Sequence, residues 1–234
     1  VFREYDTVTQ YIRKHWNRGD DPAWKFVLGR MLNWPESLEV INLAWLSPEQ
    51  DRLKLAKDAV KYLRSGGAKV FTSAYTISTC GKSMDKLDYV FDWVVQAVAE
   101  AGEPDYDTLA STAENLGNID GLGTFLAGQV VADMKNTYAH PLRGAPDWWD
   151  WSAPGPGSLR GLNWYFYGEP SGHITAATYD ARIKICYSEV VDLIGEKFPR
   201  ISMQDFQNCL CEFSKYCKVK FLGGHVRNTY PGVA

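Results

Sequence analysis

The stretch NIDGLGTFLAGQVVADM, residues 118–134, decides what kind of fold this chain can adopt. An apolar residue, a Gly-Leu-Gly turn and then an apolar run of helical period read as a helix-hairpin-helix spanning about 108–134. Glycines in such a turn take backbone conformations that side chains resist, and the N–H groups opening the second helix can meet a phosphate. Gly121, Gly123 and Thr124 are therefore candidate contacts to a DNA backbone. The alternative is a plain turn between helices whose glycines only relieve strain. The helix before the turn and the Gly123-x-x-x-Ala127 spacing favour the motif.

Helical signals continue on both sides. Apolar periodicity predicts helices over 2–16, 86–100, 106–116, 124–134, 179–198 and 202–216, the last opened by a Ser202–Asp205 box. Ser47-Pro48-Glu49-Gln50 predicts a cap, a first-turn proline and a capping box for a helix running to Arg64. The best β-like window, 70–75, is isolated and reads equally as extended loop or helix start. The fold class is thus all-α. At 234 residues the chain fits one helical domain, with the option of two lobes, 1–105 and 106–234, and a site between them. Residues 136–172, rich in Gly, Pro and Trp, read as a long functional loop.

A net charge of −3 means that any attraction to DNA must come from a local basic patch. Lys82, Lys135 and Arg143 are candidates near the hairpin, and Lys215, Lys218, Lys220, His225 and Arg227 form a C-terminal set. Five cysteines without a CxxC pair or a histidine at ligand spacing read as reduced thiols, not as a metal site. No apolar run is long enough for a membrane span, and VFREYDTVTQ lacks the pattern of a signal peptide, which points to an intracellular protein.

Five blocks in order carry a family resemblance: VFREYDTVTQYI (1–12), FTSAYTIST (71–79), IDGLGTFLAGQVVADM (119–134), APGPGSLRGLN (153–163) and LCEFSKY (210–216). The chain resembles the helical α-glutamyl/putrescinyl thymine pyrophosphorylases, and the helical domain joined to 5-hydroxymethyluracil DNA kinases. Both are similar to helix-hairpin-helix DNA glycosylases and belong to thymine hypermodification in bacteriophage DNA. The resemblance implies a glycosylase-like helical fold. It also implies a reaction in which an amino acid or polyamine nitrogen displaces the phosphate or pyrophosphate of an activated 5-hydroxymethyluracil in DNA. The implied partners are duplex DNA with modified thymine, the amine donor, and a 5-hydroxymethyluracil DNA kinase acting upstream, with no membrane. The host cytoplasm is the implied location if a phage encodes the chain. Because the chain opens on the first block, the resemblance also implies a preceding segment able to contribute to the site.

Two departures matter. Phe125 stands where lyase-type glycosylases carry a lysine nucleophile, which excludes Schiff-base chemistry from that position. No GxxxxGK[ST] phosphate loop is present, so the chain is not expected to be the kinase itself.

Displacing phosphate from a thymine methylene needs a site for the leaving oxyanion, a base for the incoming ammonium, and access to the nucleotide. Gly155, Gly157, Ser158 and Arg160 could form an anion nest with a clamping guanidinium; the alternative is a stiff connector beside a solvated charge. Asp147 is the first candidate base, with Asp150 and Asp133 beside it and His140 behind them. Asp133 is equally readable as a structural cap or ion-pair partner. Asn163, Trp151 and Trp164 could line a pocket for a flipped base or the donor, although aromatic clusters more often build core. Tyr75 and Thr76 join that pocket by resemblance only. No cofactor is required, and a monovalent cation at the hairpin stays open. Three readings stand: a DNA-modifying transferase, a monofunctional base-excising glycosylase, and a non-catalytic DNA-binding module serving a separate kinase.

Overall fold

Every regular element of the computed structural model is helical among the residues it describes, which are 2–16, 19–72, 77–197 and 200–225. The chain divides into two compact units, Arg3–Trp148 and the part from Trp149 onward. Position 105, where the sequence places a lobe boundary, therefore falls inside the larger unit.

That unit contains α1 (Thr7–His15), α2 (Ala23–Leu32), α3 (Pro35–Ala44), α4 (Arg52–Ser65), α5 (Lys86–Asp88), α6 (Gln96–Ala101), α7 (Leu109–Gly117) and α8 (Gly123–Asn136). Helix α8 is its axis. From Leu126 to Asn136 every residue is buried, so the helix lacks a solvent face and packs on α7, α2 and α1. Its small residues Ala127, Gly128 and Ala132 allow those neighbours to approach closely. Between α5 and α6 the chain winds as a π-helix over Tyr89–Val95, a wider coil common where a helix carries a functional or packing irregularity.

Buried ionic contacts sit in this core, two of them with short hydrogen bonds. Lys25 donates to Asp21 Oδ1 at 2.5 Å, and its ammonium lies 3.8 Å from the centre of the Trp45 ring and 4.6 Å from that of Trp16. Arg30 grips Asp133 with two nitrogens, Nε to Oδ2 at 2.6 Å and Nη2 to Oδ1. Unpaired, charges in such a core would be prohibitively costly; paired and hydrogen-bonded, they are tolerated, and the Arg30–Asp133 pair ties α2 to α8.

The smaller unit packs α9 (Pro156–Tyr167), α10 (Tyr179–Ile194) and α11 (Met203–Leu222) around Leu162, Ile174, Tyr179, Ile183, Phe206 and Leu210. Helix α9 lies inside the segment that the sequence suggests is loop. Its proline sits at the first helical position, which needs no N–H. The other helices fall near their predicted places. The Ser47–Gln50 capping box is replaced by a 3-10 turn, Glu49–Asp51, before α4. The β-like window is irregular chain as far as Thr72, whose N–H donates to the Leu32 carbonyl at 2.9 Å.

Candidate functional site

Helices α7 and α8 pack together through a tight turn over residues 118–122. Three backbone bonds set it: Asn118 to Glu114, Ile119 to Leu116 and Leu122 to Ile119, all at 3.1 Å, with Leu122 buried beneath. Gly121 takes φ +91°, and any Cβ there would collide with the Tyr89 hydroxyl and come within 2.7 Å of Val94. Only glycine lets the turn lie against the π-helical segment. Gly123 and Thr124 are exposed, and no side chain caps the start of α8. The partial positive charge of that helix end therefore faces outward. Beside the turn, Trp93 donates its indole N–H to Asp120 at 2.9 Å, and the Lys82 ammonium lies 3.6 Å from the centre of the Trp93 ring.

Of the basic residues proposed for DNA, Lys82 is half-buried at the hairpin and Arg143 is exposed, its guanidinium over the rings of Tyr138 and Trp148. Lys135 is not a surface cation. It is 1% exposed, donates to the Trp148 carbonyl at 3.0 Å and stacks its ammonium over that indole, which removes it from any backbone contact.

The aspartates separate in the same way. Asp147 accepts from the N–H groups of Leu109 at 2.8 Å and Ala110 at 3.0 Å, so its carboxylate caps α7 from 38 residues away. Asp133 is fully buried. Beyond Arg30, Thr9 donates to its Oδ1 at 2.6 Å and Arg3 lies 3.7 Å from the same oxygen. Asp6 joins this cluster as the cap of α1. Burial alone would raise its pKa, but Arg30, Arg3 and the Thr9 hydrogen bonds outweigh that and hold it at about 2. Both Asp147 and Asp133 are thus occupied by structure, which argues against either as general base. Asp150 is exposed.

The proposed anion nest becomes the first turn of α9. The Ser158 hydroxyl is buried, accepting from Gly155 N–H at 3.2 Å and donating to Gly155 carbonyl at 3.1 Å, so it is turned inward. A Cβ at Gly157 would sit 2.8 Å from Cys211 Sγ, and one at Gly161 would strike the Leu210 carbonyl. These glycines let α9 press against α11. Arg160 remains exposed. Asn163 is buried with its amide satisfied, Nδ2 donating to the Leu159 and Ile174 carbonyls and Oδ1 accepting from His173 and Ile174 N–H, so it reads no ligand. Trp164 packs on Phe221 with centroids 5.6 Å apart, and Trp151 is half-buried. Tyr75 and Thr76 lie outside the described residues, as does Arg227.

Sequence reasoning missed Arg3, Asp6, Lys25 and Arg30. The signal was available in α2, AWKFVLGRML, where two cations interrupt an otherwise apolar helix. His140 is also buried, packed edge-on to Phe26 and Tyr106, and burial pushes its pKa down to about 4. Among the described residues no group of His, Cys, Asp or Glu is placed to hold a metal ion, and no helix is long and apolar enough to cross a membrane.

Among the described residues the fold is all-helical. The model of the 5-hmdU DNA kinase helical domain family, 5-hmdU being 5-hydroxymethyl-deoxyuridine, matches residues 1–223, and the chain belongs to that family. Membership links it to modification of hydroxymethyluracil in DNA. No curated protein and no solved structure matches the chain.

Proposed function

We propose that this chain is the DNA-engaging helical domain of a 5-hydroxymethyluracil modification system, holding the backbone at its hairpin while the modified base is exposed for chemistry. The observation that carries this is the outward-facing, uncapped start of α8 at Gly123 and Thr124, in a chain of the 5-hmdU DNA kinase helical domain family. Backbone N–H groups and the helix dipole suit a phosphate, and Lys82 and Arg143 add charge on the same unit. The test is binding to duplexes with and without 5-hydroxymethyl-deoxyuridine across a salt series. A steep salt dependence with preference for the modified duplex is expected; salt-independent or undetectable binding overturns the proposal.

A second reading goes further: the chain itself carries out the displacement of phosphate or pyrophosphate by an amino acid or polyamine nitrogen. Asp150 and Arg160 support it, since both are exposed, charged and in the same unit, unlike the other proposed catalytic residues. Incubation with a 5-phosphomethyl- or 5-pyrophosphorylmethyl-deoxyuridine duplex and a pool of amines, followed by nucleoside mass spectrometry, decides it. An amine adduct lost in Arg160→Ala is the expected product, and an unchanged base sinks this reading. The glycosylase reading is left with Asp150 of its two candidate aspartates, because Asp147 caps α7. Release of free base would restore it.

A further inference from the structure

Three side chains from different parts of the larger unit converge on its surface. Arg13 stands in the last turn of α1, Tyr138 in the turn that follows α8, and Arg143 in the 3-10 turn Pro141–Gly144. Each guanidinium carbon lies 5.4 Å from the centre of the Tyr138 ring, so the two are at most twice that distance apart. Arg143 also reaches the Trp148 ring, at 5.7 Å, and the Lys135 ammonium lies 4.0 Å from the centre of that ring. Cations and rings thus alternate, from Arg13 through Tyr138, Arg143 and Trp148 to Lys135.

The backbone presents Tyr138 outward. Thr137 and His140, which bracket it, are buried, and the His140 N–H donates to the Thr137 carbonyl at 3.1 Å. The Thr137 hydroxyl donates to the Asp133 carbonyl at 2.9 Å, which anchors the turn to α8. Between those anchors Tyr138 is 58% exposed, and its hydroxyl has no hydrogen-bond partner among the described residues.

The charge of this cluster is poorly balanced. Arg143 is exposed and makes no ion pair among the described residues. Arg13 faces Glu4 at 3.9 Å, the outer limit of an ion pair. Lys14 and His15, both exposed, add to the same end of α1. Two guanidiniums held close together repel each other, and an exposed cation–ring contact returns little. In a chain of net charge −3, such a cluster is the local positive field that a polyanion requires. Guanidinium forks and a phenolic hydroxyl are donors that match phosphate oxygens. The ring holds both guanidiniums in place, so less side-chain freedom is lost on binding.

We propose that Arg13, Tyr138 and Arg143 form a phosphodiester site for the DNA backbone, separate from the hairpin. Gly123 opens α8 and Tyr138 follows its end, so 14 residues of helix, about 20 Å, lie between the two contacts. This rests on the proposed engagement of DNA and adds a second place where the backbone is held. Because its groups meet phosphate and no base edge, the site is indifferent to whether a duplex carries 5-hydroxymethyl-deoxyuridine or thymidine.

The experiment reads the salt dependence of binding. The whole chain, Arg13→Gln, Arg143→Gln, the double variant and Thr124→Asp are titrated by fluorescence anisotropy against duplexes with and without 5-hydroxymethyl-deoxyuridine. Each arginine substitution is expected to lower the slope of log affinity against log salt by about one, and the double by about two, equally on both duplexes. Thermal melting verifies folding; if Arg13→Gln does not fold, Arg143→Gln decides alone. Arginine variants with the native slope overturn the site, and so does a loss confined to the modified duplex. If Thr124→Asp still weakens binding in either case, the hairpin function stands. No binding by the native chain overturns both.

Discussion

Arg30 and Asp133 face each other across the packed helices α2 and α8, both side chains fully buried, joined by two parallel nitrogen-to-oxygen contacts. Forked pairing of this kind gives orientation as well as attraction. It also removes Asp133 from chemistry, since a base must surrender its existing partners to take a proton. Arg30→Met and Asp133→Asn are each expected to lose about 3–5 kcal/mol of stability by leaving a buried charge unpaired. Urea unfolding measures this. A folded, equally stable Asp133→Asn protein that has lost only activity would return Asp133 to the catalytic candidates.

Gly161 gives a sharper test of α9 as a packed helix. Gly161→Ala drives a methyl into the Leu210 carbonyl and is expected to cost about 1–3 kcal/mol, whereas Arg160→Ala, one residue away and exposed, should stay within about 0.5 kcal/mol. Thermal melting of both variants checks the contrast. Equal effects would mean that α9 does not press on α11 as described.

At the hairpin, stability and binding should move in opposite directions. Thr124→Asp places a negative charge at the exposed start of α8, where it is expected to stabilise the helix by about 0.3–1 kcal/mol. The same charge repels phosphate, so DNA affinity should fall at least several-fold. Melting and anisotropy on one preparation read both quantities. Unchanged affinity would remove the hairpin from the DNA interface.

Acid should weaken the larger unit in two stages. His140 has its pKa lowered to about 4, so the unfolded chain binds more protons between pH 6.5 and 4 and stability falls as pH drops through that window, by up to about 3 kcal/mol. Asp6, held at about 2, contributes stability that is complete above its ordinary value of 3.8 and is lost as pH falls from there towards 2. Unfolding free energy measured from pH 7.5 to 2.5, with Asp6→Asn alongside, should show the lower stage flattened in the variant. Stability rising as pH falls from 6.5 to 4 contradicts the burial of a neutral His140.

Helix positions were legible because periodicity and punctuation are local: the glycines around Leu122 announced the turn, and Ser202 with Asp205 announced α11. Gly155-Pro156-Gly157 misled because the same residues serve a flexible loop and a close helix crossing. The contacts of Gly157 with Cys211 and of Gly161 with the Leu210 carbonyl, both about 50 positions on, tell the two apart. Asp147 capping Leu109 and Arg30 gripping Asp133 are long-range pairings of the same kind. A carboxylate in a sequence looks alike whether it awaits a proton or holds a guanidinium.

The π-helical winding of Tyr89–Val95 sets a limit on how this chain tolerates gain or loss of residues. Each residue of an α-helix turns the chain by about 100°, so adding or losing one position here while the winding stays the same would swing the downstream helix by roughly a quarter turn. Trp93 would leave Asp120, and the surface that receives Gly121 would rotate away. Length in this segment is therefore constrained more tightly than composition: many substitutions fit, but a change of length that keeps the winding would unseat the turn that Gly121 makes.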